Sequence, residues 1–216
     1  MSEFREAYAH AGLSLVDGTA VLWALALCAK HVPEKLSGSD LVPALSSFAA
    51  ARGYSVFFLG AAEGVAAKAA DVLKAQYPLL KAAGTFSPPF GFFQDPEENA
   101  YTLRVLQEAK PDICFVALAS PYQEIWMYRN YLNSGAKVMI GVGAGLDFIA
   151  GVQKRAPRWV QRIGAEWLWR LAHEPKRLWK RYLVDDMRFI PILLRECWKQ
   201  RVERLFDRVS TQKESK

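Results

Sequence analysis

The sequence is poor in the residues that build covalent or metal frameworks. Its 216 residues hold three cysteines (Cys28, Cys114, Cys197) and three histidines (His10, His31, His173), widely scattered and with no C-x-x-C pair. That spacing excludes a disulfide scaffold, argues against a structural zinc site, and fits a reducing compartment. Long apolar runs are missing as well. Crossing a bilayer takes roughly 18 or more apolar residues in a row. TAVLWALALCA from Thr19 is too short, and the run from Val138 is interrupted by Asp147. The opening MSEFREAYAH is charged, so no secretory signal is expected. With no internal repeat or low-complexity stretch, the expectation is a soluble or membrane-surface protein.

What is present is apolar content and an uneven charge. The chain is 51% hydrophobic and 23% charged, enough to bury a substantial core and too apolar for wholesale disorder. Net charge is +6, yet Val152–Arg208 alone holds fifteen Lys/Arg against seven Asp/Glu. The remainder is therefore slightly acidic. Five of the seven tryptophans (Trp159, Trp167, Trp169, Trp179, Trp198) share the basic stretch. The expected organisation is a core over residues 1–152, a basic Trp/Arg-rich helical appendage over 153–209, and a disordered tail over 210–216. Such a surplus implies an anionic partner: phosphate, acidic lipid or nucleic acid.

In the body, short apolar runs alternate with helical patterns. LSLV (Leu13–Val16), SVFFLG (Ser55–Gly60), ICFVAL (Ile113–Leu118) and KVMIGVG (Lys137–Gly143) read as strands buried on both faces. Between them, one helix is expected from Asp40 to about Ala51 and another over Glu63–Gln76. A third has Asp95 at its N-cap and Pro96 at its first position. Alternation of this kind predicts an α/β fold, a parallel sheet with helices on its faces.

Ligands of open parallel sheets bind beyond the carboxyl ends of the strands. The residues there are Asp17-Gly18, Gly60, the segment Ala119–Glu124, and Gly143–Asp147. Asp17 has two readings, a turn aspartate capping the helix that starts near Thr19, or a general base at a strand tip. Gly141, Gly143 and Gly145 are not a dinucleotide fingerprint, because Leu146 stands where the third glycine belongs; they do let a ligand approach the backbone. Asp147 reads as a helix cap or a polar contact, and Glu124 as complement to a helix dipole or a ligand contact. The amide of Gln123 suits a base edge or a sugar hydroxyl. Ser120 lacks the G-x-S-x-G setting of a nucleophile.

In the basic stretch, Trp159, Ile163, Trp167 and Leu171 recur at helical spacing and predict one apolar stripe. A new helix is expected at Pro175, with Arg177 and Arg181 one turn apart. These arginines are either a solvated face or, interleaved with tryptophan, a surface for anionic lipid. Paired guanidinium groups suit a diphosphate better than lysines do.

The run from Val142 to Leu183 resembles the signature of the WecG/TagA/CpsF glycosyltransferases, in its R-A-P, E-W, E-P-K-R and R-Y elements and their order. SPYQE (Ser120–Glu124) is similar to that family's G-x-P-x-Q-E motif, SGSDLVPAL (Ser37–Leu45) to its T-G-x-D-L element, and VDG (Val16–Gly18) to its D-G motif. The resemblance runs from about Leu13 to Leu194. It implies a Rossmann-like fold with a C-terminal helical appendage that joins the active site at the membrane. It also implies an inverting, metal-independent transfer of a sugar, N-acetylmannosamine or another hexose, from a UDP-sugar to a polyprenyl-diphosphate-linked sugar in cell-surface polysaccharide assembly.

On the matching positions, the resemblance makes Asp17 the catalytic base. Gly18, Asp40, Gly60, Gln123, Glu124, Gly143 and Asp147 fall to substrate binding, and Arg170, Arg177 and Arg181 to holding the diphosphate. No cofactor and no metal are implied; Asp185 and Asp186 are adjacent, which puts them on different helix faces rather than in a D-x-D pair. The implied partners are the UDP-sugar, the lipid-linked acceptor and the membrane surface, with homo-oligomer formation left open. The implied location is cytoplasmic, at the inner face of the membrane. Nucleic acid is not expected, since no recognition motif is present. The pattern differs in places. SPPFGFF (Ser87–Phe93) stands for H-G-Y-F, and Ala119 and Ala144 stand at glycine positions. The T-x-N motif that the family carries before D-G is absent from these residues. A catalytically impaired member, acting as a nucleotide- or lipid-binding partner subunit, is the alternative.

Overall fold

The protein is described from a computed structural model, which covers residues 2–28, 36–180, 191–195 and 197–199. The chain forms two compact units, Met1–Leu15 with Leu36–Arg155, and Val16–Lys35 with Ala156–Lys216.

The first unit is built on a sheet. Its elements are α1 (Ser2–His10), α3 (Gly38–Arg52), β1 (Ser55–Gly60), α4 (Val65–Gln76), β2 (Lys81–Phe86), a 3-10 turn (Phe92–Gln94), α5 (Pro96–Ala109), β3 (Ile113–Ala117), α6 (Tyr122–Asn130), β4 (Val138–Gly141) and α7 (Gly145–Ile149). The four strands are parallel in the order β2-β1-β3-β4. Side chains of a strand alternate between faces, and the core divides accordingly. Val56 and Phe58 of β1, with Ile113 and Phe115 of β3, meet α3, α4 and α7. Phe57 and Leu59, with Cys114 and Val116, meet α5, α6 and the 3-10 turn. The result is an α/β/α layering whose central strands are buried on both faces. Burial pushes the Cys114 thiol far above its ordinary range, so it packs as a small apolar group.

Polar ties fix the ends of this unit. Asp95 caps α5, accepting from the Glu97 N–H at 2.9 Å, with Pro96 in the first turn. At the amino ends of the strands, the Asp112 carboxylate accepts from the Ser55 N–H (2.8 Å) and hydroxyl (3.0 Å) and pairs with Lys137 at 2.7 Å. The Lys137 contact, followed by the two Ser55 bonds, holds the Asp112 pKa down to about 2. α1 lies against α6, where Arg129 pairs with Glu3 and His10 sits 5.1 Å from the Tyr128 ring.

The second unit contains α2 (Thr19–Leu27), α8 (Arg158–Arg162), α9 (Glu166–His173) and α10 (Pro175–Lys180). Gly164, in the left-handed region at φ 75°, separates α8 from α9. The Trp169 and His173 rings approach to 4.4 Å within α9.

Several sequence expectations are corrected. LSLV forms no strand and pairs with none among the described residues, and Leu13 and Leu15 are exposed. Its apolar pattern satisfies strand periodicity, but strand structure also needs a paired neighbour, which no local pattern reveals. KVMIGVG shortens to an edge strand that is not buried on both faces. The stripe from Trp159 to Leu171 is divided between two helices by the Gly164 turn, and Trp159, Ile163 and Trp167 are exposed. α3 begins at Gly38, with Ser37 rather than Asp40 at its N-cap. The expected helix start at Pro175 is met by α10. The expected tail over 210–216 lies outside the described residues.

Candidate active site

Between β1 and β3 the strand order reverses direction, since β2 follows β1 on one side while β3 lies on the other. In open α/β sheets a crevice opens at such a point beyond the carboxyl ends. Gly60 ends β1 there with φ 98°, and a side chain on it would fall 2.5 Å from the Ala117 carbonyl oxygen. That oxygen accepts the Ala61 N–H at 2.8 Å, which closes the two strand ends together. A glycine is required by both the backbone angle and the space.

Gln123 lies in the first turn of α6 and is buried. Its Oε1 accepts the Gly143 N–H at 2.9 Å and the Leu118 N–H at 3.4 Å. One amide thus joins the loop after β3 to the loop after β4. Its Nε2 donates to Glu124 Oε1 at 3.4 Å. The other Glu124 oxygen, Oε2, is buried and accepts no hydrogen bond among the described residues. A buried acceptor without a donor is costly, so this atom is suited to a donor from outside the chain. Partial burial, with the Glu124 charge as a further cause, pushes the Tyr8 hydroxyl of α1 above its usual range. Phe93 of the SPPFGFF segment stacks on Tyr122 at 4.7 Å and anchors that segment beside the start of α6.

Asp40 stands in the first turn of α3, where the Arg155 guanidinium grips it with two prongs, Nη1 to Oδ1 and Nη2 to Oδ2 at 2.7 Å. The Ser37 hydroxyl donates to Oδ2 and accepts from Arg155 at 3.3 Å. Behind this cluster, a side chain on Gly38 would fall 2.3 Å from the Val142 carbonyl oxygen. The start of α3 is therefore seated directly on the loop after β4. Asp147 is the third residue of α7 on the same loop, behind Ala144 at the N-cap.

Asp17 and Gly18 belong to the second unit. Gly18, at φ 110°, holds the N-cap position of α2, so Asp17 precedes the cap and does not follow a strand. Asp17 is exposed. Arg170, partly buried, lies in the last turn of α9. Arg177 lies in α10, and Arg181 lies outside the described residues. The structure thus groups Gly60, Gln123, Glu124, Gly143, Asp40 and Asp147 in the sheet unit, and Asp17, Gly18, Arg170 and Arg177 in the helical one.

The family model described as "Glycosyl transferase WecG/TagA/CpsF family" matches residues 1–203. The chain belongs to that family. This is the family that the VDG, SGSDL and SPYQE motifs and the run after Val142 resemble. Among similar proteins, the N-acetylglucosaminyldiphosphoundecaprenol N-acetyl-beta-D-mannosaminyltransferase of Bacillus subtilis (strain 168) is 32% identical over 183 residues, 84% of this chain and 68% of the relative. The protein of the same name from Bacillus spizizenii is 32% identical over 169 residues, 78% of this chain and 63% of the relative. That from Staphylococcus aureus (strain MRSA252) is 30% identical over 185 residues, covering 86% and 68%. The chain thus spans about two thirds of the length of these relatives.

The α/β layering agrees with the Rossmann-like architecture expected of this glycosyltransferase family. Two residues escaped the sequence reading, Ser37 and Arg155. Arg155 sits in the R-A-P element, but its partner lies 115 positions earlier, a separation that no local spacing encodes.

Proposed function

We propose that this family member transfers a sugar from a UDP-sugar to a polyprenyl-diphosphate-linked sugar, inverting the anomeric centre and using no metal. The observation that carries this reading is the family match across residues 1–203, joined by relatives whose shared name specifies an undecaprenyl-diphosphate-linked acceptor and a mannosaminyl group.

In the proposed step, an acceptor hydroxyl oxygen forms a bond to the donor's anomeric carbon. Its proton passes to the Asp17 carboxylate. The bond from the anomeric carbon to the diphosphate oxygen breaks, and its electron pair leaves with UDP. Attack from the face opposite the leaving group inverts the centre. A positioned carboxylate acting as general base contributes about 10²–10⁴-fold. Arg170, Arg177 and Arg181 supply positive charge for the diphosphate, a role that guanidinium groups fill without a metal. At the sheet edge, Glu124 Oε2 accepts a sugar hydroxyl, which would satisfy its unpartnered valence. Gly60, Gly143, Asp40 and Asp147 shape the loops around the nucleotide. Gln123 lines the pocket and holds two of those loops in register. Gly18 provides the backbone angle that sets Asp17 ahead of α2.

No helix among the described residues is long and apolar enough to cross a membrane. We further propose that the protein works peripherally at the cytoplasmic face of the membrane, a reading supported by the undecaprenyl-diphosphate-linked acceptor that the relatives' name specifies.

Transfer from radiolabelled UDP-N-acetylmannosamine to a lipid-diphosphate-GlcNAc acceptor tests the reading. Turnover in the unaltered chain, lost in Asp17→Asn, is expected. Full activity in Asp17→Asn would remove the base assignment, and UDP binding without turnover across a donor panel would select the partner-subunit alternative.

A further inference from the structure

α2 is an anomaly in the second unit. Its nine residues, TAVLWALAL, contain no charge and no polar side chain beyond Thr19. A helix that is apolar all round belongs inside a core or against another apolar phase. The protein covers Ala24 and the adjoining Cys28, yet Trp23 is 56% exposed and Leu27 73%. With Ala26, also exposed, these residues fall on one arc of the helix. An exposed apolar surface of this kind marks a site of interaction.

The neighbours within the unit indicate with what. A side chain on Gly164 would fall 2.5 Å from the Thr19 methyl carbon, so the start of α2 abuts the turn between α8 and α9. Those helices, the turn between them and α10 expose Trp159, Ile163, Trp167, Leu168 and Trp179. Residues Ala156–Lys180 carry six Lys/Arg against two glutamates. An uncharged apolar helix beside tryptophan-rich cationic ones is complementary to a bilayer with anionic headgroups, which offers acyl chains to the first and phosphates to the second. At 1.5 Å per residue, α2 is about 13 Å long. That is too short to span a hydrocarbon core of about 30 Å but suited to lying at its boundary.

We infer that α2 is a lipid-contacting helix that seats Trp23 and Leu27 at the acyl boundary of an anionic membrane, and that it thereby holds Asp17 at the lipid surface. The second half of this statement rests on the acceptor reading above; the first does not. Since Asp17-Gly18 leads directly into α2, a membrane-seated helix brings the carboxylate to the depth where a lipid-linked sugar emerges.

The experiment uses the full chain and vesicles of phosphatidylcholine with or without phosphatidylglycerol. Trp23→Glu/Leu27→Glu is expected to lower partition onto the anionic vesicles at least tenfold. Transfer to the bilayer-held acceptor should fall in parallel, while transfer to a short-chain, water-soluble acceptor stays within twofold. Should the double glutamate variant lose its helical circular dichroism, Trp23→Phe provides the second arm. Brominated lipid should quench the unaltered chain more than this variant, and equal quenching overturns the inference. Unchanged partition of a folded double variant overturns it too, as does an oligomer of the unaltered chain that the double variant dissolves while vesicle binding persists. Failure of the function would read differently, as absence of transfer to either acceptor with the partition and quenching results intact.

Discussion

Tryptophan behaves in opposite ways in the two units. In the sheet unit Trp126 is 2% exposed, packs against Phe92, and donates its indole N–H to Asn99 at 2.7 Å. In the helical unit Trp23, Trp159, Trp167 and Trp179 are all exposed. The same side chain completes a core in one setting and is presented outward in the other. Apolar content alone therefore says little about stability; what matters is whether the fold itself supplies the apolar partner. The sheet unit supplies the apolar partners for its tryptophan, whereas the described part of the helical unit leaves these four side chains exposed.

That contrast can be broken by substitution. The largest effect is expected from Phe58→Ala, which removes a ring buried between β1 and the α3/α4/α7 layer; it should cost about 3–5 kcal/mol. Trp159→Ala should change stability by no more than about 0.5 kcal/mol, because Trp159 is exposed. Urea denaturation of both variants measures the difference. A Trp159→Ala loss as large as that of Phe58→Ala would erase the distinction between the units.

Next in size, Asp17→Asn should lower transfer at least ~100-fold, the lower end of what a positioned base contributes, while leaving the urea midpoint unchanged. Asp17 is an exposed residue of the helical unit, so its substitution should register far more in turnover than in folding. Arg155→Lys tests a tie in the sheet unit. Lysine keeps the charge but not the two-pronged grip on Asp40. The pair is partly exposed, so screening limits the stability loss to about 1 kcal/mol or less. The reading sharpens if KM for the donor rises severalfold with kcat nearly unchanged, since the seat of α3 on the loop after β4 would be loosened.

The smallest effect belongs to pH. Asp112 is ionised more readily in the folded chain, at about 2, than in an unfolded chain, where aspartate titrates near 3.9. The unfolded state therefore binds more protons over that interval, and stability rises with pH there. The contribution of Asp112 is fully present above about pH 4 and is lost as pH falls through about 2. Asp112→Asn should flatten this part of a denaturation-midpoint profile, because a neutral amide has no proton to gain.

The central strands were readable because their information is local. SVFFLG is β1 at the stated bounds, and ICFVAL gives β3 one residue shorter. Asp95-Pro96 marked the start of α5 through a cap that is itself a local bond. β2 was missed because KAAGTF is small, partly polar and half covered, an edge strand without an apolar run. α1 is not legible in the sequence because its surface is charged and it is held by Arg129 and Tyr128, far along the chain. LSLV differs for the converse reason, since apolar alternation is present and, among the described residues, a neighbouring strand is not. At the candidate site, Gln123 and Glu124 were singled out by their motif, but the bond from Gln123 to Gly143 was not visible. Asp40 was marked while its grip by Arg155 was not, because that pairing depends on how α3 and the segment after α7 come together.

The amide of Gln123 has a consequence for how the rim tolerates change. Two main-chain N–H groups from different loops converge on one oxygen, so the spacing of the two loops is set by the length of a single side chain. Asparagine, one methylene shorter, must draw the loops inward or release one of them. Glutamate keeps the reach but sets a second negative charge beside Glu124. A strut of this kind gives the two loops little room to drift apart gradually.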